Sequence, residues 1–413
     1  MNRQDRLMNI LMSVGISFLF LIAADRFLGL AGAPSEVDYN PAYPSDFSSR
    51  LKFVDHSYTY RANKMGIRYR EIPFLKESAD ETRVAVIGDS FVEGQGVEEE
   101  QSFCSLLEQD YLAHGKKVYF INCGVSGAGP YEYAQLLYRI GLKYHPDKLI
   151  IAIYTNDLND LQDFTPEQKA QWKRSLFGDY CPTVIIPPRA GFKRFFHDTF
   201  PRIYTLIRKV VIRVKKRSRF QVIDSAIHDA REQNMPEEKI DAWVKKLPTP
   251  AVKEIEENWV GEFRITGPLL SPEHWAECLD IATPEAQARW QFMAEILSDM
   301  IHECRRRHID VRLVYEPHPY QYDPAYDTLP ERLGMTVRKE WLSEESELEK
   351  KLSAFAAAED VGFLDLTPYF REATSQNHEI YNFKIDPHWN ARGHKLAAAA
   401  ILKWFKETHF VDR

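Results

Sequence analysis

Gly88-Asp89-Ser90-Phe91 stands directly behind the compact apolar run 83–87 (RVAVI). A serine at such a turn can hold its hydroxyl above a sheet while the following helix aims backbone donors at developing negative charge. That is the chemistry of a nucleophile. The same triplet also serves ordinary turns and helix caps, so the short motif alone leaves both roles open. Near the other end, Asp386-Pro387-His388-Trp389 precedes the last helical pattern. Histidine is the side chain best suited to take a serine proton near neutral pH, and a carboxylate can fix its second ring nitrogen in the required tautomer. Glu316, in Glu316-Pro317-His318-Pro319-Tyr320, is the rival acid, and Asp89 is expected to support its own turn. Phe91, Tyr154, Tyr320 and Trp389, with Glu316, are candidates for substrate contact, although aromatic side chains equally fill cores.

Other chemistries find little support. His388 and His394 are six residues apart, which does not place them on one helical face, and no ligand cluster flanks them, so no metal is expected. Gly94 and Gly96 lack the lysine of a phosphate-binding GxxxxGK[ST] loop, and no organic cofactor is called for.

The elements that must bring these residues together alternate. Strand-like runs at 83–87, 117–121, 148–154, 310–315 and 362–366 are separated by helical patterns at 99–112, 131–144, 285–307 and 343–359, and 391–407 closes the chain. Repeated strand-helix order predicts a mainly parallel sheet with helices on both faces, and the carboxyl ends of its strands are the natural ligand crevice. Residues 158–284 interrupt this order as a long insertion. Within it, 193–219 carries ten basic residues and one acid, with Ile203, Leu206, Ile207, Val210, Val211 and Val214 at roughly helical spacing. A basic amphipathic helix is expected there, either packed on the body or touching an anionic lipid or glycan.

Four blocks in order resemble the SGNH hydrolase (GDSL-like lipase/esterase) superfamily. The first is Gly88-Asp89-Ser90, the second Asn122-Cys123-Gly124-Val125-Ser126-Gly127, the third Tyr154-Thr155-Asn156-Asp157 and the last Asp386-Pro387-His388. The third carries Tyr154 where the family has glycine, and Ile385 occupies the usual place of the acid. The resemblance implies a three-layer α/β fold whose five-stranded parallel sheet is ordered 2-1-3-4-5. It implies a Ser90–His388–Asp386 triad, with oxyanion donors from the Ser90 and Gly127 backbone and the Asn156 side chain.

The 413 residues, 44% hydrophobic and 27% charged, leave room for a large core, and 53 Lys plus Arg against 60 Asp plus Glu disfavour a nucleic-acid partner. Five scattered cysteines are too few for a disulfide scaffold. Residues 7–24 contain no charge and follow Arg3 and Arg6. As a helix they would span about 27 Å, so an uncleaved single-pass membrane anchor is expected, with the N-terminus cytoplasmic and the body extracytoplasmic. The expected organisation is an anchor over 1–32, a stalk and lead-in over 33–81, and a hydrolase-like domain over 82–413 carrying the insertion. The expected activity is a serine esterase of an envelope branch that removes a small O-acyl group, plausibly acetyl, from an extracytoplasmic carbohydrate. Carbohydrate O-acyl transfer, lipid-ester cleavage and a non-catalytic glycan-binding scaffold are the alternatives.

Overall fold

Strands β1 (Ser48–Lys52) and β2 (Ser57–Arg61) pair as an antiparallel hairpin. Strands β3 (Thr82–Ile87), β4 (Val118–Asn122), β5 (Lys148–Tyr154), β6 (Asp310–Glu316) and β7 (Gly362–Asp365) form one parallel sheet in the order β4-β3-β5-β6-β7. In order of appearance within that sheet this is 2-1-3-4-5. The computed structural model describes residues 48–52, 55–161, 221–249, 262–377 and 379–411, with isolated positions at 17, 20–24, 26, 27, 200 and 203. By its contacts the chain divides into residues 1–40 with 172–221, and 41–171 with 222–413; the sheet and the candidate site lie in the latter unit.

The central strands are nearly continuous apolar runs because both of their faces are buried. Val84, Val86, Phe120, Ile150, Ala152, Val314 and Leu364 face one layer. Helices α2 (Phe103–Ala113), α11 (Thr367–Asn377) and α12 (Ala391–Thr408) supply Phe103, Leu107, Phe370, Ala397, Ile401 and Phe405 to it. Helices α3 (Pro130–Arg139), against β3, and α8 (Pro284–Arg306), against β6, pack on each other and form the opposite layer. Their starts are set locally. Pro130 and Pro284 occupy first helical turns, and Thr283 caps the Ala286 amide.

The described part of the insertion is helical: α4 (Gln221–Glu232), α5 (Glu237–Lys246), α6 (Glu262–Leu270) and α7 (His274–Leu279). Ala226, Ile240, Trp243, Ile265 and Leu269 form a small core with Leu329 and Leu333 of α9 (Leu329–Leu333), which follows β6. Trp275 of α7 joins Tyr320, Tyr326 and Met335 in a neighbouring cluster. The insertion therefore docks beside the carboxyl end of β6 and brings side chains to the crevice. Helix α10 (Glu347–Ala358) covers β7.

The anchor requires correction. Among the described residues no helix is long and apolar enough to cross a membrane. Of the run 7–24, positions 17 and 20–24 are described. The single-pass topology, the extracytoplasmic placement, the envelope branch and the membrane partner all rested on that span and are not supported; the rest of the run lies outside the described residues. The basic helix expected at 193–219 also lies outside them, apart from positions 200 and 203.

Candidate active site

The serine turn is built by close packing behind it. A Cβ on Gly88 would lie 2.3 Å from the Val92 side chain, so the chain can turn this tightly only with glycine there. Asp89 Oδ1 then accepts from the Phe91 amide at 2.8 Å and caps the one-turn helix α1 (Ser90–Glu93). Gly94 closes that turn at φ 80°. Ser90 is thus the first helical residue, 8% exposed, with its Oγ at the floor of a cavity.

The histidine loop is held by different means. Trp389 is fully buried, stacked on Phe370 with centroids 4.9 Å apart and edge-on to Phe91 at 5.0 Å. Asn390 caps α12 by accepting from the Arg392 and Gly393 amides. Between these anchors, Asp386 Oδ1 accepts from the His388 amide at 2.9 Å and from the His388 ring at Nδ1. The carboxylate curls back onto its own loop, which explains how an acid only two residues upstream can serve the ring. His388 Nε2 lies 2.6 Å from Ser90 Oγ. Ser90, nearly three hundred residues upstream, forms one hydrogen-bonded line with His388 and Asp386.

The charges around this line raise the affinity of the imidazole for a proton. Burial is the largest influence on His388 and disfavours the imidazolium, but the Asp386 carboxylate and its hydrogen bond, aided by Asp89 and Glu93, outweigh it and raise the pKa above the ordinary 6.5. Burial also opposes ionisation of Asp386, yet the charge and hydrogen bonds of His388 hold its pKa below the usual value. Asp89 is pushed up to about 6 and Glu93 to about 7, in each case chiefly by burial.

The cavity at Ser90 has a volume of about 320 Å³. Asn156, in the turn after β5, and Tyr154 line it, as do Tyr320, Tyr326, His318 and the insertion residues Phe263, Arg264, His274 and Trp275. Gly127, in the loop after β4, adopts φ 76°, and a Cβ there would meet nothing within 4 Å, so the glycine answers to backbone conformation and not to crowding. Arg264 pairs with Asp327 on the cavity wall. His318 packs against Trp275 with ring centroids 3.8 Å apart and planes tilted by 38°, and burial depresses its pKa well below that of free histidine.

Of the expected contact residues, Tyr154 and Tyr320 reach the cavity, whereas Phe91, Trp389 and Glu316 do not line it. Phe91 packs beneath, on Tyr154 at 4.1 Å. Glu316 is fully buried and burial drives its carboxyl well above the usual range; the ring of His388 is held by Asp386. An acid whose ionisation is opposed by burial is less suited to balance an imidazolium than the Asp386 carboxylate.

Several positioning contacts had no signal in the sequence. The Gln95 amide lies 3.3 Å from His388 Nδ1 and accepts from Ser126 Oγ, linking the serine and histidine loops. The buried Arg68 guanidinium donates to the carbonyls of Thr59, Glu93, Gly94 and Val97. Asp55 accepts from the Lys384 and Ile385 amides, and His56 stacks on Phe383 at 3.8 Å. The segment expected as stalk and lead-in thus braces both loops from outside. Gly96, at φ 96°, passes so close to Phe383 that a Cβ would lie 2.3 Å from the ring.

Residues 84–242 match the family model of the GDSL-like Lipase/Acylhydrolase family, a segment that includes Ser90, Gly127 and Asn156. No curated protein matches the chain. Among solved structures, a lipase/acylhydrolase from Enterococcus faecalis is similar at 15% identity, with 79% of this chain and 96% of that one covered and a TM-score of 0.36. A GDSL-like lipase from Bacteroides thetaiotaomicron gives 11% identity, 81% and 92% coverage and a TM-score of 0.35. An acetyl xylan esterase gives 10%, 78%, 98% and 0.36. Likenesses this distant do not bear on substrate. The match to that family model over the serine-bearing segment, joined to a serine, an imidazole and a carboxylate in line above a parallel sheet, makes the chain a serine hydrolase acting on ester bonds.

Proposed function

We propose that the chain removes a small O-acyl group, acetyl in the simplest case, from a carbohydrate. In this reading Ser90 Oγ attacks the ester carbonyl while His388 Nε2 takes its proton, and Asp386 holds the ring and balances the imidazolium. The Ser90 and Gly127 amides and Asn156 Nδ2 would donate to the tetrahedral oxygen, where one such donor is typically worth about 3 kcal/mol of transition-state stabilisation. His388 then returns its proton to the leaving sugar hydroxyl, and water, activated by the same imidazole, releases the acid.

The observation that carries the carbohydrate reading is the mixed wall of the cavity. Trp275, Tyr320 and Tyr326 line it beside Arg264, Asp327, His274 and Asn156. A long alkyl chain filling that space can make no hydrogen bond to these polar groups, whereas sugar hydroxyls can. Acetate release from an O-acetylated oligosaccharide, compared with turnover of p-nitrophenyl esters from acetyl to decanoyl, tests the proposal. Acetate release from the saccharide and a preference for acetyl over decanoyl of about tenfold or more in kcat/KM are expected, since k ratios report differential transition-state binding. Preference for the long chain, or no release from any saccharide, would overturn it.

The proton affinity of His388 sets the pH dependence. The base works only when neutral, and its pKa is raised, so activity should fall with decreasing pH along a limb centred above 6.5. A kcat/KM profile for p-nitrophenyl acetate from about pH 5 to about pH 9 reads this directly, and a limb centred below 6.5 would contradict the assignment.

A further inference from the structure

The cavity at Ser90 is the first of three depressions that share their walls in sequence. Tyr326 lines it and also lines a second, of about 640 Å³, bounded by 322–326 and by side chains between 371 and 384. Ile380, Asn382 and Lys384 of the second also line a third, of about 450 Å³, which reaches Asp55 and Arg392. The loop carrying His388 runs along all three: Lys384 faces the second and third, and Ile385, Pro387 and His388 the first. We propose that the three form one cleft, and that its occupant is a carbohydrate chain of several residues whose acylated unit sits at Ser90 while its neighbours extend across Tyr326 into the second and third depressions. This rests on the carbohydrate reading of the site and extends it from a single sugar to a polymer.

The lining of the outer depressions selects the class of occupant. Asp323, Glu372, Ser375, Asn382, Lys384 and Arg392 present hydroxyl, amide and charged groups of both signs. An alkyl chain would desolvate the exposed ones, Glu372 and Arg392 among them, without compensation, while a hydroxylated chain can hydrogen-bond to them. Nor is a strongly anionic chain favoured. Arg371, the guanidinium of the second depression, donates to the carbonyls of Gln321, Trp341 and Glu344, and Arg392 stands 3.9 Å from Glu379. A neutral, hydroxyl-rich chain fits both facts.

The experiment measures kcat/KM for acetate release from O-acetylated xylo-oligosaccharides, from mono- to octasaccharide. It uses the full chain and the variants Ala325→Trp and Ser375→Trp. Both positions are exposed and line the second depression, so an indole there would obstruct it. p-Nitrophenyl acetate, too short to leave the first cavity, controls for folding and chemistry in each variant. A rise of about tenfold with chain length in the wild type, most of it removed by either tryptophan, is expected if remote binding is used in the transition state. Equal kcat/KM at every length, or a rise that survives both variants, overturns the cleft and leaves the single-sugar reading standing. If p-nitrophenyl acetate is turned over but no saccharide of any length is, the carbohydrate reading itself fails and the cleft with it. A rise instead with the alkyl length of p-nitrophenyl esters, suppressed by the tryptophans, would assign the groove to an acyl chain and overturn the proposal.

Discussion

Ser90→Ala is expected to lower kcat for ester hydrolysis by about 10⁵-fold or more, His388→Ala by a similar factor, and the double variant by little beyond either. The reason lies in the 2.6 Å contact between Ser90 Oγ and His388 Nε2. Without the imidazole the hydroxyl is a poor nucleophile, and without the hydroxyl the imidazole has no proton to take, so each substitution removes the same step. The comparison is clean because both side chains end at the cavity and not in the core. Ser90→Ala removes a single oxygen, and the cap of α1 resides on Asp89, so the turn should persist. Thermal melts of the variants against wild type check this. Independent contributions, with the double variant losing the product of the two single effects, would show that the pair does not act as a unit. Retention of a tenth of wild-type activity by a folded Ser90→Ala would remove Ser90 from the mechanism.

The parts of this arrangement that were legible in the sequence share one property: they are local. Five apolar runs separated by helical patterns suffice for a parallel sheet, because strands buried on both faces need no alternation and parallel neighbours need crossovers. The serine turn and the histidine loop were legible for the same reason, each being a few residues beside a recognisable element. What escaped was set by tertiary contact. Arg68 reaches Glu93, Gly94 and Val97 with no periodicity to announce the pairing, and Gln95 meets His388 across nearly three hundred residues. Trp275 and His274 arrive at the cavity from an insertion whose docking depends on a small core shared with α9. Trp389 and Phe91 looked like substrate contacts because aromatic side chains suit cores and ligand walls alike, and only packing decides between them. The N-terminal run was misjudged on hydropathy alone. Its eighteen residues sit near the lower limit for a span, and among the described residues no helix is long and apolar enough to cross a membrane.

Asp386→Asn is the second large loss, expected at about 10³- to 10⁴-fold in kcat/KM near neutral pH. An amide can occupy the space of the carboxylate, but it cannot carry the charge that balances an imidazolium, and it can donate to the ring where an acceptor is needed. The backbone bond from the His388 amide to Oδ1 can be kept by the amide oxygen, so the loop need not move. Loss of the charge also removes the leading influence that raises the proton affinity of His388, so whatever activity remains should have its acid limb displaced to lower pH than in the wild type. That displacement separates an electrostatic role from a merely structural one, which would lower the rate without moving the limb. Glu316→Gln is the matched control. The side chain is buried beside β5, where burial opposes its ionisation, so replacing it with an uncharged isostere should change kcat/KM by no more than about threefold. The reverse pattern, a severe loss in Glu316→Gln with Asp386→Asn nearly intact and its acid limb unmoved, would transfer the role of the acid to Glu316.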